Sequence, residues 1–184
     1  MSQTAASSDR PLGSKPIGSL LKSFAIPSIV SMLVGALYNI VDQFFIGQKI
    51  GELGNAATNV SFPLSTACVA IALLFGIGGA AAFNLSTGEG NYKKAGFIIG
   101  NSITLLFLLG LALSVFTLVF LNPLLLFFGS PPEVLGYAAS YTRIIALGFP
   151  FLILSTGAGH LIRADGSPKY AMMCNLSGAL LNTI

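Results

Sequence analysis

Charge is what this chain has least of. Asp, Glu, Lys and Arg together make up 8% of its 184 residues, against about a quarter in an ordinary soluble protein. So little charge cannot cover a water-facing surface, which excludes a soluble catalytic domain. Nor do the few basic residues gather into a patch interleaved with aromatics, the footprint of a nucleic-acid binder. Cysteine is scarce as well. Cys68 and Cys174 lack the spacing of a metal or redox motif, and inside apolar runs they read as small hydrophobes. Histidine occurs once, at His160, where it reads as an interfacial polar group rather than a proton relay. A short apolar core with a small-residue cleavage site is missing from the amino terminus. The first apolar run is therefore read as a retained span, not a signal peptide.

What the chain has in place of charge is hydrocarbon. Hydrophobic residues account for 54%, and mean hydropathy is +0.83. These values and the long apolar runs predict an all-α integral membrane protein, a helix bundle with about five transmembrane helices. Residues 1–18 read as a disordered cytoplasmic tail. Residues 19–184 read as membrane-embedded, with spans near 20–46, 60–85, 96–121, 137–162 and 170–184. The last is incomplete, because about 15 residues at 1.5 Å each do not cross a core of about 30 Å. Gly51 and Gly54 are expected to hold residues 48–58 as a loop, and Pro150 is expected to kink the fourth span. Ala72, Gly76 and Ala80 recur every fourth residue, a small-residue seam that lets another helix approach closely. The glycine run GIGGAA lacks a preceding strand, so helix packing is preferred to a phosphate cradle.

The first span carries the chemistry. Its stretch FAIPSIVSMLVGALYNIVDQFFIG holds Asp42, and a carboxylate in hydrocarbon costs about 3 kcal/mol on insertion scales. Ser28, Ser31, Gly35, Asn39 and Asp42 recur at steps of three or four and share one helix face. Val30, Leu33, Leu37 and Phe44 fall opposite, toward lipid. Two readings of Asp42 stand: an acid facing a wet cavity, or an acid one turn from the helix end that reaches headgroup water. Tyr38, Asn39 and Gln43 beside it are candidate cavity-lining residues, Tyr38 reading more readily as ordinary helix packing or an interfacial ring. Basic residues fall mainly on one side, with Arg10, Lys15, Lys22, Lys93, Lys94, Arg163 and Lys169 there and only Lys49 and Arg143 on the other. By the positive-inside rule the amino terminus is cytoplasmic and Asp42 lies toward the outer half of the membrane.

The stretches IPSIVSMLVGALYNIVDQFFIGQKIGELGNAA and YTRIIALGFPFLILSTGAGHLIRADGSPKYAM resemble the first helix and the fourth-to-fifth helix connection of multidrug and toxic compound extrusion (MATE) transporters. The resemblance runs from Pro16 to Ile184. It implies a twelve-helix, two-lobe transporter of the cytoplasmic (inner) membrane, of which this chain is the amino-terminal part without its carboxy-terminal lobe. It further implies export of cationic, amphipathic drugs in exchange for sodium ions or protons, with no other cofactor and no covalent chemistry. Asp42 matches the family's first-helix coupling acid, where sodium would bind. Asn182 matches the asparagine of the fifth-helix pattern N-x-x-x-D-P, whose aspartate would fall beyond Ile184. Two rival readings remain: a lipid-linked precursor flippase of related architecture, and a non-transporting remnant or assembly partner. The flippase would need a strongly basic cavity, which one arginine near a helix end does not supply.

Overall fold

The computed structural model describes residues 16–183, and the side chains of 182 and 183 lie outside that description. Of the expected tail, residues 1–15 therefore fall outside the described residues. Every described element is helical. The helices are α1 (Ile17–Ile50), α2 (Glu52–Gly88), α3 (Tyr92–Val119), α4 (Leu121–Phe127), α5 (Pro132–Ala164) and α6 (Pro168–Thr183). Helices α1, α2, α3 and α5 are long and apolar enough to cross a membrane, so the protein is a multi-pass membrane bundle. The 16 residues of α6 are fewer than the ~20 a crossing requires.

Local chemistry explains where the helices stop. After α2, α4 and α5 a glycine adopts positive φ, at Gly90, Gly129 and Gly166 (76°, 83° and 88°). In each case the glycine N–H bonds three residues back and the next N–H bonds five residues back. The pairs are Thr87 and Ser86, Leu126 and Leu125, and Arg163 and Ile162. These are Schellman closures, which satisfy carbonyls that the helix would otherwise leave orphaned. Helix α3 ends for a different reason. Pro123 has no N–H to offer the carbonyl of Val119, and its ring collides there, so the helix breaks at Phe120 and restarts as α4.

The connection between α1 and α2 departs from the expected loop. Only Gly51, at φ 78°, separates the two helices. Gly54 is no breaker but a contact residue of α2: a Cβ there would stand 2.8 Å from the Ile50 Cβ. Pro150 lies inside α5, which continues from Pro132 to Ala164.

Two compact units group the chain. Among the described residues, one takes α1 up to Asn39 together with the segment from Ile162, and the other is Ile40–Leu161. In the unit Ile40–Leu161, α2, α3 and α5 surround a core of Leu64, Cys68, Ala72, Leu106, Ala146, Phe149 and Ile153. The expected small-residue seam is present at Ala72 and Gly76, while Ala80 is half-buried. Ala72 and Gly76 are buried, and a Cβ on Gly76 would lie 2.8 Å from both Cα and O of Gly157 on α5. Close approach of this kind replaces the hydrophobic effect, which cannot drive helix association in lipid. A second cluster, Ala57, Leu121, Leu125, Val134 and Ala138, seats the short helix α4 between α2 and α5.

One polar pair fastens this core. Ser61 Oγ donates to the Ala57 carbonyl at 2.9 Å, so its lone pair receives the Thr142 hydroxyl at 2.7 Å. Both residues are almost fully buried. Interhelical bonds of this type in membranes are worth about 0.6 kcal/mol on average and up to about 1.7. Thr142→Val, which keeps the shape, is expected to cost about 1 kcal/mol of that range. Its partner retains the Ala57 carbonyl, so no buried donor is orphaned. Thermal unfolding in detergent checks this, and Ser61→Ala together with Thr142→Val should cost less than the two changes added separately.

In the other unit, Pro27, Ser31, Pro168 and Ala171 are buried, while α6 is mostly exposed beyond them.

Candidate functional site

Asp42 is the only acid of α1. It is half-buried within a helix whose most apolar window has a mean hydropathy of 1.9. The burial pattern of α1 follows the expected division of faces. Leu33, Leu37 and Phe44 are 58–61% exposed, whereas Ser28, Gly35 and Asp42 are half-buried and Ser31 is buried. Val30 and Asn39 are the exceptions, Val30 being half-buried and Asn39 exposed. Asn39 turns its amide back on its own helix, donating from Nδ2 to the Gly35 carbonyl at 3.1 Å. Tyr38 is half-buried.

Gln43 makes the one described side-chain bond between α1 and α2 in this region. The Thr58 hydroxyl shares its proton between the Asn55 carbonyl at 2.9 Å and Gln43 Oε1 at 3.2 Å. Asn55 leans against Gly47, where a Cβ would come within 2.9 Å of its Nδ2. Its Oδ1 is buried with no hydrogen-bond partner among the described residues. Asn55 and Thr58 were not among the candidates from sequence. Their place in an expected loop concealed that they sit on the first turns of α2, three residues apart and on one face. Ser31 Oγ is likewise buried without a partner among the described residues.

These contacts hold the carboxy-terminal segment of α1 against the start of α2. Ile46 and Ile50 close over Gly54, Gly47 receives Asn55, and Gln43 accepts from Thr58. Asp42 is thereby carried on a fixed helical segment, one position from a bonded amide. Among the described residues no three His, Cys, Asp or Glu side chains gather in a set that would hold a metal ion. Oxygen donors at this end of α1 are instead Asp42 and the amide and hydroxyl groups around Gln43. Asn182 lies on the backbone of α6 in the unit Ile162 onward, and its side chain is outside the described residues.

Comparison with known proteins bears on both fold and family. The MatE family model matches residues 27–184. The multidrug export protein MepA of Staphylococcus haemolyticus is 29% identical over 161 residues, covering 88% of this chain and 36% of that relative. A solved chain described as "protein A" is 33% identical and superposes with a TM-score of 0.86, over 92% of this chain and 38% of its own. A MATE solved in complex with MaD3S shares the fold at 24% identity and a TM-score of 0.82, over 89% of this chain and 36% of its own. The chain thus spans a little over a third of the length of these relatives. A family match across almost all of the described helices, with the fold reproduced in solved relatives, establishes that this chain belongs to the MatE family.

Proposed function

We propose that this chain works within a cation-coupled antiporter that exports cationic, amphipathic drugs across the cytoplasmic membrane, with its amino terminus in the cytoplasm and Asp42 as the coupling acid. The observation that carries the reading is Asp42 itself, a half-buried carboxylate on the polar face of a spanning helix. An intramembrane acid on such a face marks an ion or substrate path by default. The printed description of the MepA relative, a multidrug export protein, supports drugs as the transported class. Asn182, by its place in the family pattern, is proposed as the second polar group of the coupling site, and Tyr38, Asn39 and Gln43 as residues lining the path.

The physical logic is exchange at one negative charge. The carboxylate holds either a drug cation or a sodium ion or proton, and occupancy by one disfavours the other. An ion arriving from outside displaces the drug, and the ion is then released inward down its gradient. One cation leaves as one enters, so the membrane potential cancels and the ion's concentration gradient drives the exchange, each tenfold of it supplying about 1.4 kcal/mol, enough for about a tenfold drug gradient.

Ethidium efflux tests the reading. Cells express the chain alone, and also joined to the remaining length of the S. haemolyticus relative, with the sodium or the proton gradient dissipated in turn. Efflux that collapses with one of the two gradients is the expected result and names the coupling ion. Efflux that is indifferent to both gradients, or absent although both proteins reach the membrane, overturns the proposal.

A further inference from the structure

The unit containing the amino-terminal half of α1 and the segment from Ile162 onward holds a cleft of about 370 Å³, within the size range of small-ligand sites. Ser23 and Phe24 of α1 form one wall. Gly166, Ser167, Pro168, Lys169 and Tyr170, the turn into α6, form the other. Two properties of this cleft belong together. Ser23 gives its hydroxyl proton to the Leu20 carbonyl at 2.8 Å, while Ser167 and the exposed Lys169 leave a hydroxyl and an ammonium donor on the opposite wall. Phe24, Pro168 and Tyr170 supply an apolar lining, and Tyr170 is 61% exposed, as an interfacial aromatic would be. Lys22 precedes the cleft on α1, and Arg163 precedes it on the last turn of α5. Against these three cations stands Asp165 alone in the turn.

We infer that this cleft binds the phosphate headgroup of an anionic phospholipid. Lys169 and Ser167 contact the phosphate, and Phe24 and Tyr170 flank the first carbons of the acyl chains. Basic pockets between membrane helices take acidic headgroups by this combination of charge and apolar wall. The cleft lies beside the first turns of the spanning helix α1, against the polar turn into α6. A soluble anion would use only the polar half of the site.

The test is lipid retention by the purified chain in nanodiscs of phosphatidylglycerol mixed with phosphatidylcholine, read by native mass spectrometry. Wild type is expected to retain phosphatidylglycerol preferentially. Lys169→Gln should weaken that retention about fivefold, and Lys169→Arg should restore it. Lys93→Gln, which removes the same charge from an exposed position on α3, should leave it unchanged. Unchanged helicity by circular dichroism shows that a variant has folded. Equal losses from Lys169→Gln and Lys93→Gln, or no preference for phosphatidylglycerol in wild type, overturn the inference. So does displacement of the lipid by glycerol phosphate at equal concentration, because the apolar wall would then contribute nothing.

Discussion

Asp42→Asn is expected to reduce ion-driven ethidium efflux to the level of cells lacking the protein. The substitution keeps side-chain size while removing the charge and replacing one acceptor oxygen with an amide donor. It therefore leaves helix packing alone and abolishes the competition between drug and ion. With the ion's concentration gradient, about 1.4 kcal/mol per tenfold, no longer coupled, the drug gradient should fall to that of cells lacking the protein. Asp42→Glu retains the charge on a longer stem and should keep part of the activity. Immunoblotting of membrane fractions separates loss of coupling from loss of protein. If Asp42→Asn pumps as wild type does, the acid merely meets headgroup water, and the other reading of the sequence is the correct one.

The second large effect concerns packing. Gly76 and Gly78 lie two residues apart on α2, yet they face different surroundings. A Cβ on Gly76 would meet the backbone of Gly157 at 2.8 Å, whereas a Cβ on Gly78 would meet nothing within 4 Å. Backbone cannot step aside as the tip of a flexible side chain can. Gly76→Ala is therefore expected to cost about 1–3 kcal/mol, the usual range for overpacking, and Gly76→Leu should prevent accumulation of folded protein. Gly78→Ala should be neutral or stabilise by up to about 1 kcal/mol, since alanine is the better helix former. Melting temperatures of the two alanine variants in one detergent decide the matter, and equal shifts would contradict the close α2–α5 approach.

Sequence and structure agree where hydrocarbon decides and part where polar residues do. The spans, the seam through Ala72 and Gly76, and the division of α1 into a polar and an apolar face all follow from periodicity in residues that lipid sorts strongly. The start of α2 was not legible in the same way. Glycines at 51 and 54, with Asn55 and Thr58 among them, read as a loop by composition. Only Gly51 turns the chain, because the other three meet α1: Gly54 packs on Ile46 and Ile50, Asn55 leans against Gly47, and Thr58 bonds to Gln43. Pairings across four to fifteen residues, from one helix to the next, leave no mark in local composition. For the same reason Asn55 is not legible in the sequence, although it supplies a buried oxygen without a hydrogen-bond partner among the described residues, near the segment that carries Asp42. The break after Val119 was partly readable, since Pro123 signals an end but not that the chain continues as α4.

The most direct test of the coupling claim is ion movement driven by drug. Purified protein, joined to the remaining length of the MepA relative, is reconstituted into vesicles and given an ethidium gradient with no initial ion gradient or membrane potential. Radioactive sodium uptake and an internal pH dye report the counter-flux. The expected result is a flux of one of these ions opposite in direction to ethidium in wild type and none in Asp42→Asn. Ethidium transport by wild type with neither ion moving, or an equal counter-flux in Asp42→Asn, would contradict the assignment of Asp42 as the coupling acid.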